Sequence, residues 1–392
     1  MVYLLILLCV IFVSAIVAFR YLKATIVSPI SLHSLSWMIV LLVGVVVYQN
    51  YDSFPEESFY SLLIWYLLFY FILAVGEVMI TEGRYKYIDS LFIFSTPRYW
   101  MFIIPACILT IYEIYSVGSS GPESFLRNLR VANVGDDYSG NKFIFMPAFY
   151  PIIMSMFAIS CLTSDNKINM ASASFWQILF CIGTMGKFAV ITPVFVYVVI
   201  RGLKSNLSIK KIVFISLFLM SLIMMVHFIR MTGDETSSLI DVLGIYIYSP
   251  IVALSKLPDF HSVDLGQYTF RFFYAFTYKL GLLTIEPVKT ILEFVNVPIA
   301  TNVFTAMQPF FQDFSYPGVA LGAMVYGVFF SLLYGGARQG NPVYILIYAL
   351  LSVSLLTSFF AETLITNLSG NIKISICVLI LFWGTVKCKA KK

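Results

Sequence analysis

Apolar residues in this chain come in long unbroken runs. Stretches of about 18 to 22 apolar residues recur from end to end, and polar residues are confined to the segments between them. At about 1.5 Å of rise per residue, a helix of that length crosses a hydrocarbon layer of roughly 30 Å. The pattern predicts spans at 2–19, 30–48, 59–80, 99–117, 143–162, 171–183, 188–200, 212–229, 317–335, 342–361 and 370–386. The expected fold class is therefore an all-α polytopic membrane protein of about eleven spans, with residues 1–392 forming a single integral membrane domain. Strands of about ten alternating residues, which a membrane β-barrel needs, do not occur. The runs at 171–183 and 188–200 are short, and the intervening GTMGK (183–187) predicts a tight hairpin between two helices, against the alternative of one long span.

Composition agrees with this pattern. Of 392 residues, 60% are hydrophobic and 11% charged, and the mean hydropathy is +0.89. A soluble domain carries about a quarter charged residues. Five of the six cysteines (Cys9, Cys107, Cys161, Cys181 and Cys377) lie inside apolar runs, and Cys388 lies in the tail, so no disulfide framework is implied.

Basic residues orient the spans. No Lys or Arg precedes the first run, whereas Arg20 and Lys23 follow it, so it reads as an uncleaved anchor with its N-terminus outside. The cytoplasmic segments then hold fifteen of the 25 basic residues: Arg20, Lys23, Arg84, Lys86, Arg98, Lys167, Arg201, Lys204, Lys210, Lys211, Arg338, Lys387, Lys389, Lys391 and Lys392. One topology places all of them in short cytoplasmic segments. The net charge of +5 needs no nucleic-acid partner.

Two loops on the outer side carry the polar content. In the first, 118–142, Ser120, Pro122 and Glu123 form a helix start, and the helix after them places Arg127 and Arg130 three apart on one face. The second runs from 230 to 316. Its apolar stretch at 242–257 is interrupted by Pro250 and reads as packed or re-entrant structure; two further spans within the loop would preserve the same topology. The loop is rich in Tyr and Phe and contains Arg230, Arg271, Asp259, His261 and Asp264. Aromatic faces suit sugars, and guanidinium groups match phosphate oxygens in pairs. Such residues suit a phosphorylated glycan carried on a lipid.

Against this background the segment NVPIATNVFTAMQPFFQDFSYPGVALGAMVYG (296–327) resembles bacterial O-antigen polymerases, the oligosaccharide repeat unit polymerases. There an Asn-aromatic-Thr element leads to an aromatic-Asp-aromatic element, then Gly, then a span. Similar correspondences lie in SPISLHSLSW (28–37), YEIYSVGSSGPESFLRNLR (112–130) and HFIR (227–230). At GTMGK the chain carries Lys187 where the resemblance leads one to expect an arginine. The resemblance implies an inner-membrane glycosyltransferase working on the periplasmic face. It would move a glycan from one undecaprenyl-diphosphate carrier onto the non-reducing end of a lipid-linked repeat unit, with a chain-length regulator and other O-antigen assembly proteins as partners.

Each candidate residue admits a functional and a structural reading. Arg230 ends a span on the side that charge bias disfavours: it is a diphosphate clamp or a snorkelling anchor. His227, one turn earlier, binds substrate or bonds within the bundle. Arg127 and Arg130 bind substrate or pair with Glu123, and the resemblance favours Arg130. Arg271 binds phosphate or stacks on its aromatic neighbours. Lys187 and Asn302 bind substrate or stabilise turns. Asp313, His261 and Glu113 are the general-base candidates, the structural alternative for Asp313 being to cap a helix near Pro317. The acid pairs in GDDY (135–138) and GDE (233–235) lack metal-ligand spacing, and neither a metal nor a cofactor is expected. An O-antigen ligase and a lipid-linked oligosaccharide flippase are the alternatives. The ligase would carry a His-Asn-x-aromatic-Leu element in the large loop, where this chain has DFHSVD, and the flippase would carry charges in mid-span.

Overall fold

The computed structural model of the chain describes residues 1–51, 53–79, 96–134, 139–163, 167–204, 243–257, 264–289 and 292–385, with Lys210 and Ser221. It is mostly helical, at 76%. Six helices among the described residues are long and apolar enough to cross a bilayer: Val2–Arg20, Pro29–Asn50, Glu56–Met79, Trp100–Ser120, Phe145–Thr163 and Gln308–Arg338. Three of the expected spans fold as shorter apolar helices, Met170–Thr184, Pro342–Leu356 and Leu368–Phe382. The expected span at 212–229, apart from Ser221, lies outside the described residues.

In chain order the elements are α1 (Val2–Arg20), α2 (Pro29–Val47), α3 (Glu56–Met79), α4 (Thr96–Ser120), α5 (Phe125–Val134), α6 (Phe145–Thr163), α7 (Lys167–Thr184) and α8 (Lys187–Lys204). They continue with α9 (Ser249–Ala253), α10 (Arg271–Lys279), β1 (Val295–Val297), β2 (Ile299–Thr301), α11 (Gln308–Arg338), α12 (Pro342–Leu351), α13 (Val353–Leu356) and α14 (Leu368–Thr385). Residues 171–200 are two helices joined by a turn, not one long span. Met185 takes a left-handed conformation (φ 49°), and the Thr184 hydroxyl accepts the Gly186 N–H at 3.3 Å.

The chain divides into two compact units. The first comprises Met1–Glu82, Thr236–Arg338 and Leu351–Asn371; the second comprises Gly83–Glu235, Gln339–Leu350 and Ile372–Lys392.

The first unit is built on α1, α2, α3 and α11. α1 buries one stripe (Leu4, Leu7, Ile11 and Ala18) and exposes Leu5, Ile6, Phe12, Val13, Ile16 and Phe19 on the rest of its surface, as a lipid-facing helix does. Ser28 caps α2 by accepting the Ser31 N–H at 3.2 Å, and Pro29 sits in the first turn, where its missing N–H costs nothing. α3 and α11 approach closely through small residues. A Cβ on Gly76 would sit 1.9 Å from the Ser331 hydroxyl, and one on Gly327 would sit 3.0 Å from Ile72. Because lipid tails are as apolar as leucine, close backbone packing is a main source of helix adhesion in a bilayer. The buried core includes His33, whose Nε2 accepts from Trp37 at 3.1 Å and Trp65 at 3.0 Å.

α11 is broken at Ser315 (φ 55°, ψ −145°), two residues before Pro317. A Cβ on Gly318 would lie 2.1 Å from the Phe310 carbonyl oxygen, so only glycine fits the bend. The long helix begins near the expected residue 317, but residues 308–314 form an additional helical segment where a loop is expected. The segment at 243–256 is a chain of short helical turns with Pro250 in the first turn of α9, and Tyr248 through Leu254 are buried.

In the second unit, Trp176 of α7 donates to the Thr110 hydroxyl of α4 at 3.0 Å. Ile114, Val117, Leu129 and Met185 form a core cluster from α4, α5 and the 185 turn.

Candidate functional site

Three segments of the first unit meet at the pole where α1, α3 and α11 begin. In the first, residues 264–270 turn through Gly266 (φ 72°), where a Cβ would strike the Phe270 ring at 2.5 Å. Asp313 holds this turn from α11. Its two carboxylate oxygens accept the backbone N–H groups of Tyr268 at 3.3 Å and Thr269 at 2.7 Å, and the Thr269 hydroxyl donates to the Pro309 carbonyl at 3.3 Å. The turn leads directly into α10 and its first residue, Arg271. The Arg271 Nε donates to the Val288 carbonyl at 2.8 Å, tying the helix to the segment that carries Lys289.

The second segment is the β1–β2 hairpin, antiparallel with Asn296 opposite Ala300, followed by Asn302 and Phe304. Ala306 donates its N–H to the Ser358 carbonyl at 2.7 Å. The third segment is 360–367, organised by Glu362. One carboxylate oxygen accepts the N–H groups of Leu364 (2.9 Å) and Ile365 (2.8 Å) and the Tyr326 hydroxyl, and the other accepts the Thr366 N–H at 2.5 Å. Asn371 donates to the Thr363 and Leu364 carbonyls, both at 2.9 Å.

Between these segments lies a cavity of about 520 Å³. Its wall carries two cations, Arg271 and Lys289, one carboxylate, Glu362, the uncharged groups of Asn302, Gln308, Thr363, Thr366 and Asn367, and the rings of Tyr268, Phe304 and Phe360. A second cavity of about 460 Å³ holds Lys256, Glu293 and Gln312 and shares Tyr268, Val288, Lys289, Leu292 and Phe304 with the first. Gln308 on the first and Gln312 on the second are joined by a 2.5 Å hydrogen bond. Burial, then the negative charges of Asp313 and Glu293, hold the Tyr268 phenol above its ordinary pKa. The combination can hold an anion on Arg271 and Lys289 while amides, hydroxyls and rings take up a polar organic body.

The sequence candidates separate into three sets. Arg271 and Asn302 meet on the first cavity, and Asp313 stands behind them, fixing Tyr268 and Thr269 without lining either cavity. It lies inside a helical segment, so its carboxylate caps the 268–270 turn and not the helix at Pro317. Glu113, Arg127 and Arg130 belong to the second unit. Glu113 accepts the first N–H groups of α6, from Ile144, Phe145 (2.8 Å) and Met146 (2.7 Å). Arg127 pairs with Glu123 at 3.6 Å, and Arg130 lies one turn further on α5. The third set, His227, Arg230 and His261, lies outside the described residues, as does the Lys187 side chain.

Glu362 and Lys289 escaped the sequence reading. Glu362 does carry a signal, because no other Asp or Glu follows Asp313 in the chain. Among the described residues, no group of three His, Cys, Asp or Glu could hold a metal ion. Compared with protein-family models, curated proteins and solved structures, the chain matches none. Fold and geometry define a mostly helical chain with helices long and apolar enough to cross a membrane and a cation-bearing cavity at one pole of its first unit.

Proposed function

We propose that the chain is a glycosyltransferase of the bacterial inner membrane that joins undecaprenyl-diphosphate-linked repeat units on the periplasmic face, an O-antigen polymerase. The observation that supports this reading is the grouping of Arg271 and Lys289 with Asn302, Glu362 and three aromatic rings around one cavity. In the reaction the bond between the donor's anomeric carbon and its diphosphate breaks. A hydroxyl of the acceptor sugar forms the new glycosidic bond, its proton passes to a base, and the lipid diphosphate departs. Negative charge grows on the diphosphate as that bond breaks. The fixed guanidinium of Arg271 and the Lys289 ammonium stabilise it, and losing one such donor lowers the rate by about 10²–10³. The amides and rings orient the sugars. Glu362, with both oxygens already accepting, holds the 360–367 segment in position.

The lipopolysaccharide of a strain lacking the gene tests the reading. Core capped with a single repeat is the expected product, because synthesis, flipping and ligation continue. Bare core would overturn the polymerase in favour of a ligase or flippase.

A further inference from the structure

The surface of α10 turned away from the cavity is strongly apolar. Phe273, Phe276 and Leu280, at i, i+3 and i+7, share one side of the helix, and each is more than half exposed. Leu282, just beyond, is 71% exposed. The other side carries Arg271, Ala275 and Tyr278 at i, i+4 and i+7, and Arg271 is bonded to Val288 on the cavity wall. A nine-residue helix of about 14 Å is too short to cross a bilayer. It is built instead to lie on a boundary between an apolar and a polar medium.

The height of that boundary is marked on three other helices. Tyr3 of α1 stacks on Phe59 of α3 at 4.6 Å, and Tyr60 of α3 meets Tyr316 of α11 at 6.4 Å. Tyrosines collected at one end of apolar helices mark the headgroup level. Asp313, three residues before Tyr316, grips the turn that enters α10. The root of α10 is thus pinned at the tyrosine level of α11, a helix whose Leu321, Val328 and Leu332 are exposed further along.

We propose that α10 is an in-plane membrane anchor, with Phe273, Phe276, Leu280 and Leu282 inserted into the lipid leaflet at this pole. The occupant of the face is phospholipid. Asp313 and the tyrosines place the root of this face at the level where apolar helices meet headgroups, and the proposal stands whether or not the cavity transfers sugars. Its consequence is that Arg271, on the opposite side of the same helix, is held at headgroup height.

Nitroxide labels at single cysteines in the full-length, otherwise cysteine-free chain, reconstituted in phosphatidylethanolamine–phosphatidylglycerol nanodiscs, test the proposal. Labels at Phe273, Phe276 and Leu280 should be reached by oxygen in preference to a water-soluble nickel chelate, at depths of about 5–10 Å. A label at Thr284 should favour the chelate. Chelate-accessible labels along the stripe would overturn the proposal, and so would labels shielded from both reagents, which would mean a second copy or another protein covers the face. If the cysteine-free chain does not fold, benzoylphenylalanine at Phe273 and Phe276 in the otherwise native chain replaces it. Ultraviolet light should then add the mass of a phospholipid, and capture of protein alone, or of nothing, would overturn the proposal.

Discussion

The polar segments of the two units look alike in the sequence and differ in what the fold does with them. In the second unit, several of the described polar groups at 113–134 and 139–146 are spent on the local backbone. Asn128 alone accepts the Glu123 N–H and donates to the carbonyls of Gly118, Gly121 and Glu123, while Asn133 donates to Gly183 and Asn141 to Ser116. Glu113 is consumed by the start of α6. In the first unit, the bonds of Asp313 and Glu362 hold the backbone of two turns, and the side chains those turns carry stand around a void. A count of polar residues does not separate the two regions. What separates them is that in one the carboxylates build a frame around an open cavity and in the other they close a helix start.

The sharpest contrast lies between Arg271 and Glu113. Under the proposed polymerase reaction, Arg271→Ala should lower polymer output by about 10²–10³ with protein abundance unchanged, since the residue is half-buried at the cavity edge. Arg271→Lys should stay well below wild type, because one ammonium cannot both hold Val288 and present a planar pair of donors. Full-length lipopolysaccharide from both variants would remove the cavity from the reaction. Glu113→Ala should act on the fold instead. It strips the first N–H groups of α6 of their acceptor in a buried position, costing on the order of 3 kcal/mol. The expected readout is a lower Tm in detergent and reduced membrane abundance, with Glu113→Gln recovering part of both. Normal Tm with polymer abolished would move Glu113 from the frame to the chemistry.

Much of the frame was legible before folding, and for local reasons. Apolar runs mark helices because a backbone in lipid must satisfy its own hydrogen bonds. Pro317 marks the restart of α11 and Ser120 to Glu123 the approach to α5, because caps and proline act within a few residues. The cavity was half legible. Arg271 and Asn302 stood out by type, but Glu362 is about fifty residues beyond Asp313 and meets the same pole only after α11 has carried the chain away and α12 and α13 have followed it. Residues 308–314 read as loop because Pro309, Asp313 and three phenylalanines outweigh the two glutamines in helix propensity, and a second proline follows at 317. Packing of Phe310 against Trp65 and Gly322 supplies what propensity lacks.

A smaller effect is expected at Asp313. Asparagine replaces aspartate well as an ordinary helix cap, but here both oxygens accept backbone N–H groups, and the amide nitrogen of Asn would face one of them. Asp313→Asn should therefore cost about 1–2 kcal/mol in thermal stability. Polymer should shorten in step, since the turn it releases carries Tyr268 and leads into Arg271. Polymer abolished at unchanged Tm would instead give the carboxylate a chemical role.

The smallest effect should come from Arg127→Ala. The Arg127–Glu123 pair spans one helical turn at 3.6 Å, with the two side chains 55% and 44% exposed. An ion pair this open to solvent contributes about 0–0.5 kcal/mol, because water already screens it and the long side chains lose freedom in forming it. Tm and polymer length should therefore both match wild type, and this null result separates the two regions most clearly. An Arg127 that binds substrate would leave Tm unmoved and collapse the polymer to a single repeat. That outcome would break the comparison, because it would make the closed polar segment of the second unit a working surface alongside the cavity of the first.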